Sequence, residues 1–251
     1  MPPGNSDIQI ISSLLTWLGN SEEAGTMAGM DNTQLWKVDF HSHTSFSKDS
    51  LTRPEKLVAA ARAAGLDRIV VTDHNEIKGA LRARELAPEL VIVGEEVMTT
   101  EGELLAAYVS ERVPAGLKPE DAIARLREQG AFISVSHPFD HVRHGAWHLA
   151  ELRRIAPLVD AIEIFNARCA GAKPNRQAVD FAREFHLPGT AGSDAHAPFE
   201  LGRGAVWLPP FDSAASLKQA LAAGHAEGRL SPYWVHLTSR AAVWAKRLKL
   251  A

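Results

Sequence analysis

Imidazoles and carboxylates recur in this sequence at one kind of place, directly after short apolar runs. Val38-Asp39-Phe40 leads into His41-Ser42-His43, Ile69-Val70-Val71-Thr72 into Asp73-His74, and Leu90-Val91-Ile92-Val93-Gly94 into Glu95-Glu96. Further on, Ile133-Ser134-Val135-Ser136 leads into His137-Pro138, Ile162-Glu163-Ile164-Phe165 into Asn166, and Thr190-Ala191-Gly192-Ser193 into Asp194-Ala195-His196. Imidazole nitrogens and carboxylate oxygens are the donors that hold divalent cations. On an extended segment His41 and His43 share a face, because side chains alternate with period two, and such a pair can chelate one ion. Taken singly, each of these residues has a plain reading as a cap, a turn residue or a solvated side chain. Their recurrence at the same topological position points to metal binding.

The elements that must place them are short strands alternating with helices. Apolar or β-branched runs predict strands near 36–40, 68–72, 90–94, 103–109, 131–136, 160–165 and 204–208. Amphipathic patterns predict helices near 54–64, 78–86, 119–129, 147–156, 174–186 and 214–224. Strands separated by helices argue for βαβ units, a mostly parallel sheet and an α/β fold. Thr52 with Glu55 reads as an N-terminal cap for one helix, closed by Gly65; Lys118-Pro119 opens another, closed by Gly130. In a parallel barrel the carboxyl ends of the strands gather on one rim, where such barrels keep their active sites.

Composition narrows the class. The chain has 251 residues, 45% of them hydrophobic and 23% charged, which suits a globular protein with a real core. Its 27 basic and 30 acidic side chains leave a formal charge of −3, so nothing indicates a stable nucleic acid partner or an anionic membrane surface. One cysteine, Cys169, makes neither an internal disulfide nor a thiolate cage, so any metal must rest on histidine and carboxylate. No run approaches the ~20 apolar residues of a spanning helix, and no basic signal start is present; the expected location is cytoplasmic. Residues 1–34 read as an N-terminal extension and linker, with an apolar helix at 8–18; 35–230 as the barrel; and 231–251 as an amphipathic C-terminal helix that packs on its own barrel or a sister subunit.

His41-x-His43, Asp73-His74, Gly94-x-Glu96, His137-Pro138 and Asp194-x-His196, in this order and these strand contexts, resemble the PHP (polymerase and histidinol phosphatase) domain over about residues 36–210. The resemblance implies a distorted (β/α)7 TIM-like barrel holding two or three divalent ions, manganese, zinc or iron, and hydrolysing phosphoesters. It implies that His41, His43, Glu96 and Asp194 hold one ion, that Glu96 bridges to a second held by His137, and that Asp49, His74 and His196 hold a third. Asp49 also reads as a turn residue in Ser47-Lys48-Asp49-Ser50. The family's further histidine on the next strand is missing, with Glu103 at the matching place. Glu103 either substitutes as an oxygen ligand, which would favour harder ions such as Mn²⁺, or is a surface residue beside a weaker site.

Clustered divalent ions lower the pKa of a shared water, so the expected reaction is hydrolysis of a small phosphorylated substrate by a metal-bridging hydroxide. Asp194 and His196 are the candidates to orient the nucleophile, and Asn166, Arg168 and Arg143 to bind the substrate. Arginine's planar fork matches phosphate bidentately, although Arg168 and Lys173 also read as a solvated loop. His141 and His144 flank Arg143 in a loop expected to overhang the rim, either as substrate contacts or without a role, while His186, His225 and His236 read as solvated or capping. No Gly-x-Ser-x-Gly elbow and no phosphate-cradling lysine loop competes with this chemistry. Two alternatives stand beside it: amidohydrolase-like, metal-assisted C–N hydrolysis, which usually calls for a bridging lysine, and a metal-binding module without turnover.

Overall fold

A computed structural model of the chain describes residues 35–248. The expected helix at 8–18 and linker at 19–34 lie outside the described residues. The strands are β1 (Trp36–Asp39), β2 (Arg68–Val71), β3 (Val91–Met98), β4 (Glu103–Ala107), β5 (Phe132–Val135), β6 (Ala161–Asn166), β7 (Gly189–Gly192), β8 (Gly204–Leu208) and β9 (His225–Gly228). The helices are α1 (Pro54–Ala63), α2 (Lys78–Leu86), α3 (Pro119–Glu128), α4 (Leu149–Ile155), α5 (Lys173–Glu184), α6 (Ala214–Leu221) and α7 (Val235–Arg247).

The strands form one nine-stranded sheet in the order β7-β6-β5-β4-β3-β2-β1-β8-β9, a mixed α/β, nearly closed distorted barrel. Closure occurs at the chemical rim. There β7 and the chain beyond it pair with the chain beyond β1, through Phe40 N to Ala191 O at 3.1 Å, Asp194 N to His41 O at 2.8 Å and His43 N to Ala195 O at 2.9 Å. Val38, Ile69, Val71, Ile133, Ile162 and Leu208 are fully buried. Each such side chain contributes about 1.5–3 kcal/mol by leaving water.

The barrel departs from the expected seven mostly parallel strands. Two more strands take part, β7 and β9, and four of the eight pairings are antiparallel: β3 with β4, β4 with β5, β1 with β8 and β8 with β9. The cause of the first reversal is local. Thr99-Thr100-Glu101-Gly102 makes a tight turn, with Thr99 N bonded to Gly102 O at 2.9 Å, so no helix separates β3 from β4 and the chain doubles back. The reversal brings the start of β4, and with it Glu103, to the rim where β3 delivers its carboxyl end; Met98 and Glu103 are register partners. The first helix also starts differently. Arg53 is its capping residue, and the Thr52 hydroxyl is drawn away to donate to His196 O at 3.0 Å.

At the opposite end of the barrel, Asp160 ties three elements together. Its carboxylate accepts from Ile133 N at 2.9 Å and Lys218 Nζ at 2.9 Å, and from Arg127 NH1. Burial raises its pKa, but the hydrogen bonds from Arg127, Lys218 and Ile133 outweigh that and leave it below the ordinary value. A carboxyl group depressed in the folded state stabilises above its unfolded pKa, and the contribution disappears as pH falls through the folded value. Asp160→Asn is therefore expected to cost about 1–3 kcal/mol near pH 7. Urea denaturation should show the difference from the native chain shrinking below about pH 4, near the unfolded aspartate pKa. A gap independent of pH would refute this account.

Candidate metal centre

The rim cluster is assembled from the strand ends inward. His41 and His43 leave β1 on one face; Glu96 points in from β3, Glu103 from the start of β4, His74 from the segment after β2, His137 from the segment after β5, and Asp194 and His196 from the segment after β7. Gly94 lets β3 and β4 pack closely here, since a Cβ on it would lie 2.5 Å from Ala106 O and 2.6 Å from a Val70 methyl group. Asp194 has a positive φ of 52°, a conformation uncommon outside glycine, held by the bond from its N–H to His41 O. All these residues except His74 are buried.

Glu96 is the hub. Its Oε2 lies 3.3 Å from His41 Nε2, 3.5 Å from His43 Nε2 and 2.9 Å from His74 Nδ1, and its Oε1 lies 3.2 Å from His137 Nε2. Asp194 Oδ1 is 3.6 Å from His41 Nε2 and 3.3 Å from His43 Nε2. Asp49 Oδ2 sits 3.4 Å from His74 Nε2 and 3.3 Å from His196 Nε2. Glu103 reaches His74 Nδ1 at 3.6 Å and His137 Nε2 at 3.5 Å. It is buried inside the cluster, which removes the surface-residue alternative. The three sets of donors expected from the sequence are thus drawn together, and Glu103 stands where the second set lacked a member. Asn166, Arg143 and Arg168 lie beside them.

Hydrogen bonds set the state of three imidazoles. His41 Nδ1 faces Glu163 Oε1 at 3.0 Å, and His196 Nδ1 faces the Asp194 carbonyl at 2.8 Å; both oxygens accept, so both Nδ1 atoms carry the proton. Ser47 donates its hydroxyl proton to Asp73 Oδ1 at 2.6 Å and accepts from His43 Nδ1 at 3.1 Å. In the neutral rings each Nε2 is then a bare lone pair aimed into the cluster, the arrangement of metal-ligating histidines oriented by outer partners. The His41 and His43 Nε2 atoms are 3.1 Å apart, so with both rings neutral lone pair faces lone pair. Nearby, the buried Glu96 Oε2 makes no hydrogen bond, nor do Asp49 Oδ1 and His137 Nδ1. Such a donor set is relieved by cations, and the residues present fit two or more divalent ions.

The protein alone answers this field with protons. Burial disfavours the charged form of His41, yet the Glu96, Asp194 and Glu163 carboxylates outweigh it and hold its pKa well above the ordinary value. His74 is raised the same way, chiefly by Glu96 and Asp49 against its burial. Burial, reinforced by the charges of His196 and His74, pushes His43 down to about 3. Burial would raise the pKa of Glu96 and Asp194, but His41 with His74, and His41 with Arg143, keep them well below the usual range.

Several side chains take other roles than their sequence positions suggested. Asn166 is fully buried and donates Nδ2 to Glu163 Oε2 at 3.1 Å and Asp194 Oδ2 at 3.2 Å, so it orients carboxylates. Arg168 is buried as well; NH1 bonds Glu200 Oε1 at 3.2 Å, and NH2 bonds Val235 O at 3.2 Å and Ser239 Oγ at 2.8 Å. Its fork thus joins Glu200 to α7, while Arg168 also lines the cavity that Arg143 faces. Arg143 does reach the cluster: NH1 pairs with Asp194 Oδ2, Nε with Asp140 Oδ2 at 2.9 Å, and 22% of its side chain remains open. It shares a cavity of about 640 Å³ with His74, Glu96, His137, Asp194, His196 and His144. His236, read as solvated or capping, also lines this cavity. His141 does not line it, and His144 also lines a neighbouring surface groove.

Sequence reasoning missed Glu163, Ser47 and Asp140, and named Asp73 only within the Asp73-His74 motif. Glu163 alone joins His41 Nδ1, the His137 backbone N–H at 2.8 Å and Asn166. The only trace of it in the sequence is a charged residue inside the apolar strand Ala161-Ile162-Glu163-Ile164-Phe165.

A nearly closed α/β barrel with an imidazole–carboxylate cluster on its rim defines a metal-binding barrel protein. The PHP domain matches residues 39–139, and a PHP-associated region matches 172–226. Two uncharacterized proteins of Methanocaldococcus jannaschii are similar in sequence. MJ0417 is 34% identical over 169 residues, 66% of this chain and 68% of that one; MJ1587 is 33% identical over 145 residues, 52% and 82%. A crystal structure of a two-domain Bacteroides vulgatus protein, containing a predicted PHP-like metal-dependent phosphoesterase, shares the fold. It superposes with a TM-score of 0.65 at 20% identity, covering 91% of this chain and 70% of that one. The chain belongs to the PHP domain family.

Because Glu163 holds the proton on His41 Nδ1, Glu163→Gln is expected to weaken metal affinity about 10- to 100-fold, the usual cost of losing an outer carboxylate. Metal retained per chain after dialysis against graded chelator, at unchanged circular dichroism, measures it. Affinity equal to that of the native chain would show that Glu163 does not orient the ring.

Proposed function

We propose that this protein is a metal-dependent phosphoesterase acting on small phosphorylated molecules. The observation that carries the reading is the Glu96-centred cluster of lone-pair nitrogens and carboxylates on the wall of an open cavity that also holds a guanidinium. In this reading His41, His43, Glu96 and Asp194 hold one ion, Glu96 with His137 and Glu103 a second, and Asp49, His74 and His196 a third. Divalent cations bound there would supply Lewis-acid polarisation of water and of the phosphoryl group.

The chain's own residues supply the rest. Glu163 and Ser47 keep His41 and His43 in the ligating tautomer, and Asn166 with Arg143 holds Asp194 Oδ2 so that Oδ1 faces the histidines. Arg143, anchored by Asp140, has an open edge on the cavity and meets the non-bridging oxygens; its planar fork suits them. Asp194 and His196 orient the attacking water. The ions are manganese, zinc or iron, with the oxygen ligand Glu103 favouring the harder Mn²⁺ at its position. Among the described residues no helix is long and apolar enough to cross a membrane. The amidohydrolase alternative loses ground because the shared bridging position is held by Glu96, whose carboxylate oxygens face His41, His43, His74 and His137.

Glu96→Ala and Asp194→Ala should each lose metal content and phosphoester hydrolysis together. Exhaustive chelation should silence the native chain, and reloading separately with Mn²⁺, Zn²⁺ and Fe²⁺ should restore turnover on a panel of phosphate esters. Hydrolysis surviving chelation would sink the proposal. Bound ions with no turnover across the panel would favour a binding module instead.

A further inference from the structure

The C-terminal helix is joined to the metal centre at both of its ends. Val235, Ser239, Ala242 and Lys246 recur at the spacing that lines one side of a helix. Val235 and Ala242 are buried, while Leu237, Trp244 and Leu248 are exposed. Near the start of α7, Val235 O and Ser239 Oγ receive Arg168 NH2 at 3.2 and 2.8 Å. The same guanidinium holds Glu200, whose Oε1 accepts from the His196 and Ala197 N–H groups at 3.2 and 3.0 Å. Near the end of α7, Lys246 Nζ donates to Ser45 O at 2.6 Å and to Ser47 O. Those carbonyls belong to the loop that carries Ser47, the partner of His43, and Asp49.

The two loops are also tied to each other. Ser50 Oγ and Thr52 Oγ1 both donate to His196 O, at 2.9 and 3.0 Å. The helix thus bears on the loops carrying Asp49 and His196. By contrast His41, Glu96 and His137 sit on or directly after β1, β3 and β5, strands held on both sides by other strands. A strand-borne ligand is positioned by the sheet. A ligand on an irregular loop is only as well placed as whatever packs on that loop.

We propose that α7 is the clamp for the outer part of the metal centre, the Asp49–His74–His196 set, and that Lys246 is its positioning residue. The cation of Lys246 gathers the Ser45 and Ser47 carbonyls and holds the loop at the distance from His196 that lets Asp49 face both His74 and His196. Without it, the outer ion is lost or weakened while the inner donors keep theirs. This inference rests on the metal-centre reading above.

The test is a Mn²⁺ titration of the full-length, metal-stripped chain, with bound ion per chain followed by calorimetry and by the electron paramagnetic resonance of free Mn²⁺. In Lys246→Met, which keeps most of the aliphatic stem, the weakest binding step should disappear or weaken about 10- to 100-fold, with the tighter steps unmoved. Lys246→Arg, which restores the cation, should recover it. Ser239→Ala, which removes one acceptor of Arg168, should shift the same step by less.

Unchanged isotherms in Lys246→Met and Ser239→Ala would overturn the proposal, as would equal weakening of every step in a chain with native circular dichroism. Should Lys246→Met fail to fold, Ser239→Ala decides: a shift confined to the weakest step supports the clamp, and a native isotherm overturns it. A native chain that takes up no ion would refute the metal centre itself, whereas native uptake with unchanged variants refutes only the clamp.

Discussion

Carboxylates stripped of water and packed against imidazoles at one end of the barrel are the constraint around which this molecule is organised. Glu96, Glu103, Glu163 and Asp194 are all buried, with Arg143 beside them. Taking an unpaired carboxylate out of water costs several kcal/mol, so positive charge must enter the cluster from somewhere. Protons on His41 and His74 meet part of that demand, with the rings and carboxylates shifting each other's affinities. Divalent cations meet it better, because the lone pairs of His41, His43 and His196 are already turned inward by groups that occupy their other nitrogens. The instability of the cluster by itself and its suitability for metal have the same physical origin.

The scaffold's unusual features make sense against that demand. A barrel whose strands all ran parallel would bring only carboxyl ends to the rim. Turning back at Thr99–Gly102 lets the amino end of β4 add Glu103 opposite His137 and His74. Pairing of the β1 and β7 extensions brings His41 and His43 against Asp194 and His196 by backbone bonds, which do not depend on the charge state of the side chains. The geometry can therefore exist before the charge is balanced. Asp49 lacks this backing: its loop is tied to His196 through Ser50 and Thr52 and to α7 through Lys246.

Much of the rim cluster was legible because it obeys a local rule. A strand end projects the residue that follows it onto the rim, so His41, His43, His74, Glu96, His137, Asp194 and His196 could be picked out from the apolar runs before them. The groups that orient these side chains follow no such rule. Glu163 lies inside β6 and Ser47 in a turn, and their partners His41 and His43 stand 122 and 4 residues away. Arg168 shows the same limit: its type and loop suggested phosphate binding, but nothing local announces the helix nearly seventy residues downstream whose Val235 and Ser239 its NH2 engages.

What the sequence by itself determined was the alternation of strands and helices, the positions of the strand ends, and the chemistry of the donors placed on them. These depend on side-chain type and on periods of two and 3.6 residues, which are properties of neighbouring positions. Only the tertiary structure decided strand direction at β4, the joining of β1 to β7, which nitrogen of His41, His43 and His196 is free, and which distant groups each arginine meets. Each of those is settled by which distant group reaches a buried atom first. A hydrogen-bonding position once filled is closed to every other partner, and one-dimensional order carries no record of that competition.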